Sequence, residues 1–94
     1  MGKNPSTIFR ELYRKAKNRE GKANSTGFTN AVMEMGKQDG CVYVTEKEVI
    51  QNFMIEGYSE LRANKHIAQW IDYDLLFIRY NNGYKYIGFT KEMK

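Results

Sequence analysis

Arg62, Lys65, His66 and Gln69 recur at i, i+3, i+4 and i+7, with Asn64 among them and Ser59 just ahead. That spacing gathers side chains onto one face of a helix. Their chemistry suits nucleic acid: cations neutralise phosphates, Arg takes guanine through two donors, and Asn or Gln takes adenine through a donor and an acceptor. A second set, Arg79, Tyr84, Lys85 and Tyr86, flanks Asn81-Asn82-Gly83 and offers charge for a backbone and rings for stacking. A third, Arg10, Arg14 and Lys17, falls at i, i+4, i+7 and would line one side of an N-terminal helix. Each set also has a plainer reading. A polar stripe can be a solvated helix face, and tyrosines on adjacent strands can be cross-strand pairs.

Residues for bond-making chemistry are few. One cysteine and one histidine fall short of the three or four ligands of a zinc site, and neither a phosphate-binding loop nor a dinucleotide fingerprint occurs. Asp72 and Asp74, two apart, would diverge on a helix, so a helix-end role fits them better than paired acid-base work. Cys41 in an apolar run reads as a small buried hydrophobe. The expectation is a protein that is not an enzyme and carries no cofactor or metal. Met1-Gly2-Lys3-Asn4-Pro5-Ser6 and Asn24-Ser25-Thr26 fit loose acylation and glycosylation patterns that are common by chance.

The chain has 94 residues, 41% of them apolar and 28% charged, which sizes it for one small domain with little room for a deep active-site cavity. Leu75 to Ile78 is far short of a membrane helix, and no apolar leader opens the chain. With a single cysteine, this sets a cytoplasmic location and no membrane as the expectation. The net charge of +4 is unevenly spread: residues 1 to 27 carry +5, residues 28 to 61 carry −4 and residues 62 to 94 carry +3. An anionic partner would therefore be met by the ends.

The elements that must position these residues follow from periodicity. Ile8, Phe9, Leu12, Tyr13 and Ala16 form one apolar stripe, predicting a helix over 7 to 18 with its cations outward. Asn18 to Gly27 has no apolar period and reads as a mobile connector. Phe28, Ala31, Val32 and Met35 predict a second helix ending near Gly36 or Lys37. Cys41 to Val44 is a short strand, and Thr45-Glu46-Lys47-Glu48 has capping-box form, so a third helix starts there with Val49, Ile50, Phe53 and Met54 inward and Gly57 at its end. Ser59 caps a fourth helix running to about 72, with Leu61, Ile67, Ala68 and Ile71 inward. Met33, Met35 and Met54 read as fillers of core gaps, and Trp70 as core or as lying under the wing hairpin. Asn82-Gly83 predicts a type I′ hairpin pairing Ile78 with Ile87 and Arg79 with Tyr86, its tip presenting Arg79, Tyr84, Lys85 and Tyr86 to solvent.

From residue 28 to 90 this order of helix, strand, helix, turn, helix and hairpin resembles the winged helix-turn-helix family. The resemblance implies an α+β, mostly helical fold: a winged-helix domain over 28 to 94, preceded at 1 to 27 by an extra basic helix and connector. It implies a turn at Gly57-Tyr58, a recognition helix over 59 to 72 in the major groove and a wing over 75 to 89 on the backbone. Many members have glycine between recognition helix and wing, where this chain has Asp72-Tyr73-Asp74, and Asp tolerates the left-handed region better than most residues. The function so implied is a sequence-specific binder of double-stranded DNA, of the transcriptional-regulator kind, with a homodimer through residues 7 to 18 as one role for the first helix. Two alternatives stay open. The acidic middle, with Glu46, Glu48, Glu56 and Glu60, suits an inhibitor or adaptor with a protein partner. The tyrosine-rich hairpin suits RNA or single strands.

Overall fold

The computed structural model describes residues 2 to 19 and 27 to 91, so most of the connector expected at 18 to 27 lies outside the described residues. The chain is an α+β fold, mostly helical: α1 (Pro5–Arg19), α2 (Gly27–Asp39), β1 (Val42–Thr45), α3 (Glu46–Ile55), α4 (Glu60–Asp72), β2 (Leu76–Asn81) and β3 (Tyr84–Phe89). The strands form one antiparallel sheet in the order β1-β3-β2. Among the described residues, no helix is long and apolar enough to cross a membrane.

Local chemistry sets the boundaries. Asn4 caps α1, its Oδ1 accepting from the Thr7 amide at 2.9 Å. Pro5 then occupies the first helical position, where its missing N–H costs nothing. The helix thus begins two residues before the predicted start at 7 and three before its apolar stripe. Thr45 ends β1 and caps α3, its Oγ1 accepting from the Glu48 amide at 3.1 Å, so the strand enters the helix without a loop. Gly57, at φ 95°, reverses the chain after α3. Asp74, at φ 60°, takes the left-handed conformation that turns α4 into β2. The hairpin has the expected register, Ile78 opposite Ile87 and Arg79 opposite Tyr86. Asn82 (φ 52°) and Gly83 (φ 81°) both have the positive φ of a type I′ turn.

The two sheet faces are covered by different helices. Side chains alternate along each strand, so Val42, Val44, Leu76, Ile87 and Phe89 share one face. That face joins α1, α3 and α4 in the main core, where Phe9 sits edge-on to Phe53 at 5.2 Å and against Trp70 at 4.2 Å. On the opposite face Tyr43 and Tyr86 meet Met35 of α2 in a smaller cluster. Phe77 lies over Gly88, where a Cβ would stand 2.4 Å from the Phe77 ring.

The helix expected over 7 to 18 shares the main core: Ile8, Phe9, Leu12, Tyr13 and Ala16 are all buried, and α1 packs on β1 and α3. Its apolar stripe faces that core, so a homodimer through residues 7 to 18 would have to use the outward, cationic side of the helix. The helix α2 instead packs on β1 from the sheet's far side. Periodicity reveals that a helix has an apolar face but not which layer it covers.

Two further residues expected inward on α4, Leu61 and Ala68, are exposed, Leu61 at 79%. Ala63 and Ile67 form the buried row instead, and the lack of a bulky side chain at 63 lets α4 approach the core closely. Met54 is also exposed, at 53%, whereas Met35 is fully buried.

Candidate nucleic-acid interface

The α3–α4 corner is held by ring contacts that sequence reading missed. Tyr58 N donates to the Phe53 carbonyl at 3.0 Å, and the two rings meet edge-on at 5.2 Å. The Tyr58 hydroxyl donates to the Lys3 carbonyl at 2.9 Å, and Lys3 N donates to Glu56 Oε1 at 3.0 Å. The start of α1 is thereby tied to the turn before α4. A Cβ at Gly2 would come within 1.9 Å of the Glu56 carbonyl oxygen, so only glycine allows this approach. Nothing periodic marks Tyr58 in the sequence, because it lies in a turn between Gly57 and Ser59.

Ser59 caps α4, its Oγ accepting from the Arg62 amide at 3.2 Å, and is an element of the helix start before it is a contact. Arg62, Asn64, Lys65 and Gln69 are exposed on α4. The Arg62 guanidinium stands 5.0 Å over the Tyr58 ring, which limits the orientations it can adopt. His66 differs from the reading that placed it on the outward face. It is half-buried, parallel to Phe53 at 5.8 Å and edge-on to Tyr58 at 5.7 Å, because it neighbours the buried Ala63–Ile67 row. The centre of the outward face is instead Leu61, Lys65, Ala68 and Asp72, all exposed.

The hairpin set is less open to solvent than expected, with its two cations half-buried and paired and one of its tyrosines buried. Tyr86 is buried, at 1% exposure, because its strand face is the one α2 covers. Arg79 Nη1 pairs with Asp39 Oδ2 at 3.0 Å and Nη2 donates to Gln38 Oε1 at 2.7 Å, with the guanidinium 5.8 Å over the Tyr43 ring. Lys85 pairs with Glu46 at 2.6 Å. Tyr84 is exposed, at 56%.

Asp39 is the hub on this side, accepting from the Tyr43 hydroxyl and from the Cys41 amide at 2.9 Å. Burial works to raise its carboxyl. The hydrogen bonds from Tyr43 and Cys41 and the Arg79 charge outweigh it and hold the group below its ordinary value. Burial, then the bond to Asp39, pushes the Tyr43 phenol up to about 12. The hydrogen bond to Glu46 raises Lys85. Cys41 is half-buried ahead of β1. Burial, reinforced by Asp39, raises its thiol, the opposite of an activated nucleophile.

On α1, Arg10, Arg14 and Lys17 are exposed, with the Lys17 ammonium 5.7 Å from the Tyr13 ring. Glu11 is bound by Lys3 at 2.6 Å. Among the described residues, three or more His, Cys, Asp or Glu side chains do not gather in a group able to hold a metal ion. Comparison of the chain with protein-family models, curated proteins and solved structures finds no match.

Proposed function

We propose that this chain binds double-stranded DNA as a small winged helix-turn-helix protein of the transcriptional-regulator kind, with α4 in the major groove. The observation that carries this reading is the exposure of Arg62, Asn64, Lys65 and Gln69 on one helix that follows a glycine turn, is capped by Ser59 and rests on a rigid aromatic corner. A recognition helix needs that combination: base-reading side chains on a support that does not move when they engage. In this reading α1, not α2, is the first helix of the three-helix bundle, and α2 is an insert that stiffens the far side of the sheet. Arg10 and Arg14 take backbone phosphates, and the hairpin serves as the wing through its exposed tip, with its two cations partly neutralised.

Fluorescence anisotropy on a pool of random duplexes, titrated with salt, tests the reading. Engagement of Arg62, Lys65, Arg10 and Arg14 gives a log-log salt slope of about −3 to −4. A folded protein that binds no duplex at low salt contradicts it. That outcome favours a second reading, a protein-binding adaptor, for which the specific observation is the exposure of Ile55 (77%) and Leu61 (79%) on either side of the α3–α4 turn.

A further inference from the structure

The outward row of α4 has a regularity of its own, of which the duplex reading uses only Lys65. Leu61, Lys65, Ala68 and Asp72 follow one another at intervals of 4, 3 and 4 residues and are all exposed. That is the spacing of a seam along which two helices meet. The row is also ordered by charge: Lys65 lies in its N-terminal half and Asp72 at its C-terminal end, with alanine at position 68 between them.

We infer that α4 is a self-recognition surface: two copies of this chain pair antiparallel through it about a two-fold axis at Ala68. Lys65 lies three residues before Ala68 and Asp72 four after it, so the axis sets each Lys65 beside the Asp72 of the other copy. The small side chain at the axis lets the helices approach closely, and Leu61 of each copy is covered by the end of the other α4, where Tyr73 is exposed at 68%. A parallel pair would set Lys65 against Lys65 and Asp72 against Asp72, so the charge order selects the antiparallel one. Thirteen helical residues span about 20 Å, which gives a contact smaller than the 1,200 to 2,000 Å² typical of stable complexes. The pair is therefore weak, salt-sensitive and reversible. It would compete with DNA for the same helix, yet it stands independently of the DNA reading, because it is measured without nucleic acid.

Sedimentation equilibrium of the full chain over a wide concentration range tests it, with circular dichroism confirming that each variant is folded. The wild type is expected to show a monomer-dimer equilibrium that weakens with salt. Lys65→Glu and Asp72→Lys should each weaken it by about tenfold or more, and the doubly reversed chain, with both substitutions, should return to within about threefold of wild type. Restoration is specific to this pairing, since only there do the two positions face each other. A wild type that stays monomeric at about millimolar concentration, single variants without effect, or a double variant no tighter than the singles would each overturn the proposal.

Discussion

The outer surface of α4 and the β2–β3 hairpin are alike in the sequence, each with two cations among residues suited to nucleic acid, and they differ sharply in the folded chain. Arg62 and Lys65 stand exposed on α4, and Arg62 is steered by a tyrosine ring. Arg79 and Lys85 are each paired to a carboxylate from another element, Asp39 at the end of α2 and Glu46 at the start of α3. The four cations thus divide into two that face solvent and two that hold the fold's own edges together. Charge read along a chain measures supply, and the availability of that charge depends on which acids the topology delivers beside it.

Both surfaces rest on one core, so the largest expected effect removes them together. Phe9 is fully buried between Phe53 and Trp70, and Phe9→Ala should lower unfolding free energy by about 3 to 5 kcal/mol in urea denaturation. A much smaller loss would mean that α1 is not part of the bundle that supports α4.

The hairpin side should respond to alkali. Tyr43 is fully buried and its phenol is raised from 10.0 to about 12. The protonated form belongs to the folded state, so its contribution is complete below pH 10 and is lost as pH rises through about 12. On the order of 2 kcal/mol is at stake. Tyr43→Phe should flatten the fall in the urea midpoint over that window, leaving the smaller dependence due to Tyr86, also raised by burial. An unchanged slope would place the alkaline sensitivity elsewhere.

The smallest effect sharpens the contrast most. Glu46→Gln removes the partner of Lys85 while leaving the Thr45 cap of α3 in place. The freed cation should tighten duplex binding about two- to threefold and steepen the salt slope by about 0.9. No change in slope would show that Lys85 is out of reach of the duplex whether or not it is paired.

Much of the fold was legible locally. The Thr45 and Ser59 caps, the Asn82-Gly83 turn with its register, and Asp74 in the left-handed region all depend on chemistry within a few residues. The layers were not legible, since α1 and α2 each offer an apolar face and no local signal assigns Phe9 to one side of the sheet and Met35 to the other. The same limit explains α4. Leu61 outranks Ala63 in apolarity, but proximity to the core selects the smaller residue, and the rotation that buries Ala63 turns Leu61 out and His66 in. For the candidate site, residue types on α4 were readable. The masking of Arg79 and Lys85 was not, because Asp39 lies 40 residues from Arg79 in the chain.

The most direct test sets two double variants side by side on one duplex at several salt concentrations. Arg62→Ala with Lys65→Ala should lose about tenfold or more in affinity and make the salt slope less negative by about 1.8, whereas Arg79→Ala with Lys85→Ala should stay within about threefold of wild type. The reverse ranking, with the hairpin variant losing binding and the α4 variant keeping it, would contradict the assignment of recognition to α4.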